Sequence, residues 1–290
     1  MRKSKMVMSV GAAVVIGLVC AEAFARWGLG LGTPPLSIVD LKIEYMFAPN
    51  QDVYRFGNRQ LFNEYGMRSE PIPNQKSRDE FRILAIGDSV LNGGNHTAHG
   101  DLATTLLSRN NVRVLNASAG SWGPQNMQAY IRKFGLFDAD MLVVVLSEHD
   151  AHDVPSFAPL NPNTHPTHRP LFALAEGLTR YLPRYLPSLS TSVDEEFPSE
   201  TAKPDPHAYT VVTDLADKPI PVCFVLHPTL AEYQTRKWGQ GYYAIRNAVG
   251  SAKFIDETPF IRSVGDYRDG IHHSVAGQKA LAKAISTCWR

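Results

Sequence analysis

The stretch Phe81–Ser89, FRILAIGDS, constrains this chain more than any other. Ile83–Ile86 is an unbroken apolar run ending at Gly87. That is the pattern of a strand buried on both faces, which needs parallel neighbours and helices above and below it. The sequence supplies them in alternation. Leu102, Leu106 and Leu107 follow at helical spacing, and Val112–Leu115 reads as a second strand ending at Asn116-Ala-Ser-Ala-Gly120. Met127, Tyr130, Ile131 and Phe134 repeat the helical period, and Met141–Leu146, MLVVVL, is the strongest strand, running into Ser147-Glu-His-Asp150. Ile220–Leu226 leads to His227-Pro228, and Phe254–Asp256 is a short fifth strand. Ser274 predicts the cap of a last helix with Leu281, Ala284, Ile285 and Cys288 facing the core.

Such alternation predicts a parallel sheet covered by helices. Functional residues then gather outside the carboxyl ends of the strands. Ser89, Gly120, His149, Asp150 and His227 all follow strand ends, which predicts one shared site. Near the far end of the chain, DGIH sets Asp269 three residues before His272. A serine hydroxyl becomes a nucleophile when a histidine takes its proton and a carboxylate orients that histidine. Ser89, His272 and Asp269 are the candidates for these roles, with Gly270 easing the turn between the last two.

GDS on the first core strand and DxxH just before the last helix resemble the first and last blocks of the GDSL/SGNH hydrolase family, over roughly residues 81–290. The resemblance implies a three-layer α/β/α sandwich with a parallel central sheet. It also implies ester hydrolysis through an acyl-enzyme, with Ser89, Asp269 and His272 catalytic and no cofactor. An oxyanion hole follows from it too, built from the Ser89 N–H, the glycine after the second strand and the Asn of a GxND block after the third. Gly120 fits the glycine, with Gly123 as runner-up. The third block is altered to Ser147-Glu148-His149-Asp150. Asp150 matches the family Asp, Ser147 replaces the Gly, and His149 is expected to donate in place of the Asn.

Other readings of the same residues are weaker. An α/β-hydrolase needs G-x-S-x-G, and Asn116-Ala-Ser118-Ala-Gly120 lacks the first glycine. Glu148, His149, Asp150, His152 and Asp153 are dense in metal-ligand types, but there is no HExxH and no zinc spacing, so no metal is expected. Trp122, Trp238, Tyr242 and Tyr243 are expected in core packing, with a sugar-stacking surface as the alternative.

At the start of the chain, Arg2, Lys3 and Lys5 precede the uncharged run Met6–Ala21, and Ala23-Phe24-Ala25 offers a cleavage site before Arg26. Residues 1–25 are therefore a signal peptide or a membrane anchor, the two left open, with everything after Arg26 outside the cytoplasm, periplasmic or secreted. The run of about 16 residues is slightly short of the ~20 that span a bilayer comfortably. Gly28, Gly30 and Gly32 suggest a flexible juxtamembrane linker, residues 26–80 a lead-in segment, and the proline-rich residues 151–215 an insertion or lid. Export permits a disulfide between Cys223 and Cys288. Lys plus Arg (29) balances Asp plus Glu (28), which gives no footprint for nucleic acid. The expected partners are the membrane, through the N-terminal segment, and an acylated small molecule or polysaccharide. Transfer of the acyl group to a sugar hydroxyl and non-catalytic polysaccharide binding are the alternative functions.

Overall fold

A computed structural model describes residues 2–182 and 203–290. The central sheet has five parallel strands: β5 (Phe81–Gly87), β6 (Val112–Ser118), β7 (Met141–Ser147), β8 (Val222–His227) and β9 (Lys253–Asp256). Their spatial order is β6-β5-β7-β8-β9. The chain steps one way from β5 to β6, then crosses back over β5 to start β7. The order therefore reverses between β5 and β7, and the crevice at such a reversal is where open α/β sheets bind ligands.

Side-chain alternation builds two cores from these strands. On one face Leu84, Ile86, Leu142, Val144, Phe224 and Leu226 pack under α4 (Pro124–Phe134), α6 (Pro206–Ala216) and α8 (Gln240–Ala248). On the other, Ile83, Ala85, Val143, Val145 and Val225 pack under α3 (Ala103–Leu107) and α9 (Val275–Ser286), and α7 (Leu230–Thr235) packs Leu230 and Tyr233 into a small cluster with Ala280 of α9. The result is the expected α/β/α sandwich. Ser274 caps α9 by accepting from the Gly277 N–H, and Leu281, Ala284, Ile285 and Cys288 are buried as their spacing predicts. Cys223 on β8 is joined to Cys288 after α9 by a disulfide, tying the sheet to the chain's last turn.

The lead-in segment carries more structure than its sequence shows. It forms two antiparallel hairpins, β1 (Ser37–Asp40) with β2 (Glu44–Phe47), and β3 (Gln51–Arg55) with β4 (Asn58–Phe62). Tyr45, Met46 and Met67 join the larger core. These strands are only four or five residues long, and the buried positions of β3 are Gln51, Val53 and Arg55, so little hydrophobic period shows.

One boundary differs from expectation. Residues 206–215, counted in the insertion, are sandwich: Asp205 caps α6, and Val212 and Leu215 enter the core. Within the expected insertion, α5 spans Ala173–Glu176 and a helical turn spans Gly177–Tyr181; residues 183–202 lie outside the described residues.

The N-terminal helix α1 (Arg2–Ala23) continues through a wider turn at Phe24–Gly28. That continuation gives a 19-residue apolar stretch, Val10–Gly28, long enough to cross a membrane.

Candidate active site

Ser89 is the first residue of α2 (Ser89–Asn92), directly off β5. Asp88 caps that short helix, its Oδ1 accepting from the Val90 N–H at 2.9 Å. Across the cleft, the Asp269 carboxylate closes the DGIH turn by accepting from the backbone N–H of Ile271 (3.1 Å) and of His272 (2.7 Å). Gly270 takes no left-handed conformation there, so the carboxylate shapes the turn rather than the glycine's freedom. The same carboxylate lies 3.0 Å from His272 Nδ1, and His272 Nε2 lies 2.9 Å from Ser89 Oγ. An ionised carboxylate only accepts, so Nδ1 carries the ring proton and the Ser89 hydroxyl donates to Nε2. Partial burial works against charge on Asp269. The His272 ring and the two turn N–H groups outweigh it and hold this carboxyl far below the usual carboxylate range.

Gly120 follows β6. A Cβ placed on it would meet nothing within 4 Å, so the space beside it is open. Asn92, at the end of α2, binds the end of β6 by donating to the Ser118 carbonyl at 3.1 Å. The elements that carry Ser89 and Gly120 are thereby fastened together. Among the described residues, the N–H groups of Ser89 and Gly120 donate to no other protein group.

His149 takes a different place from the one expected. Its Nδ1 lies 2.7 Å from Ser147 Oγ, and its Nε2 lies 3.2 Å from Asp88 Oδ2 and 3.6 Å from Asp153 Oδ2. Both ring nitrogens are thus engaged by the protein. Burial disfavours the imidazolium, but the Asp150 and Asp88 carboxylates overcome it and push the group up to about 10. Asp88, also buried, is held low by His149. Asp150 accepts from the Ser147 N–H at 2.7 Å, and burial beside other carboxylates keeps its own proton affinity high. His149 is here a counter-ion of Asp88, the residue before Ser89.

A second buried group supports the DGIH loop from beneath. His227 Nε2 lies 2.6 Å from the Ile271 carbonyl and Nδ1 2.7 Å from Glu257 Oε2. Both partners accept, so both ring nitrogens donate. His273 Nε2 stands 3.0 Å from the other Glu257 oxygen. Burial opposes charge on Glu257, yet His273 and His227 hold it at about 2. The two histidines and the glutamate have metal-ligand chemistry, as do Asp88, His149 and Asp150. However, 2.7 Å is a hydrogen-bond separation, shorter than the ~3.3 Å between two donors around a tetrahedral zinc with ~2.0 Å bonds. His227 and Glu257 therefore fit one another better than an ion.

Sequence reasoning also missed Arg68. It is fully buried, which lowers it to about 9, and it donates to the carbonyls of Asn92, Gly94 and Thr97. It therefore braces the loop that follows Ser89, from a lead-in segment with no motif around it. Trp122 is core, as expected, donating to the Tyr45 carbonyl. Trp238 stacks on Tyr242 at 4.6 Å, partly exposed beside the exposed Tyr243.

No family model and no curated protein matches the chain. Similar solved structures include a member of the lipolytic protein G-D-S-L family from Veillonella parvula, at 12% identity and TM-score 0.42 over 72% of this chain and 97% of that one. An acetylxylan esterase from Geobacillus stearothermophilus, solved as a catalytic mutant, has 14% identity and TM-score 0.42 over 74% of this chain and 96% of that one. A two-domain esterase active on acetylated mannans has 10% identity and TM-score 0.43 over 72% of this chain and 48% of that one. What the chain itself shows is a five-stranded parallel sheet with a core and helices on each face. In this sheet, Ser89 and His272 meet where the strand order reverses.

Proposed function

We propose that this chain is an extracytoplasmic serine esterase of the SGNH type that removes short acyl groups, acetyl first among them, from a polyhydroxylated substrate such as a polysaccharide. The observation that carries the reading is the unbroken hydrogen-bond chain from Asp269 through His272 to Ser89. In this reading Ser89 Oγ attacks the ester carbonyl while its proton passes to His272 Nε2. The tetrahedral oxyanion is held by the N–H groups of Ser89 and Gly120. Collapse expels the alcohol, which takes the proton from His272, and leaves the acyl group on Ser89. Water, deprotonated by the same nitrogen, then releases the acid and restores the serine. Asp269 keeps the ring oriented and stabilises the imidazolium. His149 is not needed as a third donor; it neutralises Asp88, whose charge would otherwise disfavour the oxyanion forming one residue away.

Two further observations support parts of this reading. A cavity of about 320 Å³ is lined by Ser121, the residue after Gly120, by polar Glu44, Asp153, Ser156, Asn161 and Thr164, and by apolar Tyr45, Val154 and Leu160. Its mixed walls offer hydrogen-bond partners to a sugar alcohol. The Cys223–Cys288 disulfide suits an oxidising compartment outside the cytoplasm.

The test is hydrolysis of p-nitrophenyl esters from acetate to octanoate by the full chain in detergent, beside its Ser89→Ala variant. Activity that declines with chain length and vanishes in the variant is expected. A preference for octanoate would overturn the acetyl assignment, and equal activity in the variant would overturn the serine mechanism.

A further inference from the structure

The N-terminal helix is fastened to the folded domain by contacts that cleavage before Arg26 would sever. α5 begins at Ala173 after Phe172, whose side chain cannot cap it. The missing cap comes from the N-terminal helix. Glu22 accepts from the Ala173 N–H at 2.8 Å and from the Leu174 N–H at 2.9 Å, so one carboxylate satisfies two donors that a helix start leaves open. Arg26 holds Glu22 at 2.8 Å and donates to the Leu171 carbonyl at 2.9 Å. Ala25 is buried against Leu31 and Ala173, and its carbonyl accepts from the Leu31 N–H at 2.9 Å.

The glycines that follow are seated, not slack. At Gly30, in a left-handed conformation, a Cβ would come within 2.2 Å of the Tyr54 carbonyl oxygen. Gly32 N–H donates to Glu176 at 2.6 Å, and Glu176 forms a buried ion pair with Arg55 of β3. The expected flexible linker is therefore a clamp.

The clamp also fixes a surface. Trp27 (80% exposed), Phe24, Leu171 (88% exposed) and Phe172 stand open to solvent at the end of the apolar stretch. A cavity of about 440 Å³ with mostly apolar walls lies beside Trp27 and Phe172, lined also by Leu18, Val19, Ala23 and Leu174, with Glu22 and Arg26 in its wall. This patch continues from the face of a helix that is itself apolar and unburied along Val10–Gly28. Aromatic side chains at the end of a membrane helix occupy the headgroup layer.

We infer that residues 1–28 stay in the mature protein as an anchor locked to the domain, and that Phe24, Trp27, Leu171 and Phe172 form a foot resting in the membrane interface. The occupant of the apolar patch is lipid. This inference stands on contacts of the anchor and does not depend on the esterase reading.

Three measurements on the full chain test it. After expression, intact-mass analysis of the membrane fraction should find the residues before Arg26 still attached; a mature chain beginning at Arg26 overturns the inference. Glu22→Ala should lower the melting temperature of the domain in detergent, and an unchanged value would show a loose tether. In phosphatidylcholine vesicles with acyl chains brominated near the headgroup, tryptophan emission should be quenched. Trp27→Phe should lose that quenching, and Phe172→Trp added to it should regain it. Quenching that survives Trp27→Phe, or does not return with Phe172→Trp, would place the foot away from lipid. All three substituted side chains are on the anchor or exposed, so ester hydrolysis in detergent serves only as a folding control.

Discussion

His149 Nε2 lies 3.2 Å from Asp88 Oδ2, so the side chain standing where an amide donor was expected is a partly buried counter-ion of the residue before Ser89. An imidazolium–carboxylate pair in this position carries a pH signature. His149 is raised from 6.5 to about 10 by its carboxylate neighbours, against the effect of burial. A raised basic group stabilises the fold fully below its unfolded value and loses that contribution as pH rises through the folded one. Stability measured by denaturant unfolding should therefore fall between about pH 6.5 and pH 10, by on the order of a few kcal/mol. His149→Asn should flatten that slope. An unaltered slope in the variant would assign the alkaline transition elsewhere.

Glu257 predicts the opposite limb. Its carboxyl is lowered from 4.5 to about 2 by His273 and His227, against burial. The contribution of a depressed acid is present above the unfolded value and is lost as pH falls toward the folded one. Acid unfolding between about pH 4.5 and pH 2 should be shallower in Glu257→Gln. That variant breaks a fully buried charge cluster, so it should also lose about 3–5 kcal/mol at neutral pH. The loss should reach the site through His227 and the Ile271 carbonyl, seen as a fall in kcat at nearly constant KM. A stable variant with full kcat would show that the cluster does not position the loop.

Asp269→Asn keeps the shape of the side chain and removes its charge. An amide can present its NH₂ to His272 and favour the wrong ring tautomer. On the proposed mechanism kcat should drop about 10⁴-fold, and the melting temperature should also fall because the turn loses its charged acceptor. A drop under tenfold would mean that Asp269 does not orient the base.

Replacing Cys223 and Cys288 together by serine opens a closure of 65 residues. The loss of unfolded-state constraint is about 4 kcal/mol, so unfolding should shift accordingly while activity at low temperature persists. Equal stability of oxidised protein and variant would contradict a structural role for the bridge.

These outcomes also show what the sequence could convey. The sandwich was legible because doubly buried strands such as Met141–Leu146 leave continuous apolar runs. Ser89, Asp269 and His272 were legible because the chemistry demands those residue types after a strand and within one turn. The hairpins of residues 37–62 were not, since strands of four or five residues give almost no period. His149 was placed at the correct strand end with an expected role its contacts do not support, because a residue's position does not reveal which carboxylate its ring will meet. Arg68 and Glu22 were invisible for a related reason: each acts on backbone groups far away in sequence, and no local pattern records such a contact.

The most direct test of the central claim is covalent labelling with a fluorophosphonate, which requires a serine activated by a histidine. The full chain should take up one adduct, located by peptide mass on Ser89, with none in Ser89→Ala and much slower labelling in His272→Gln. An adduct on another residue, or no adduct on a chain whose folding is verified by its melting curve, would contradict the account.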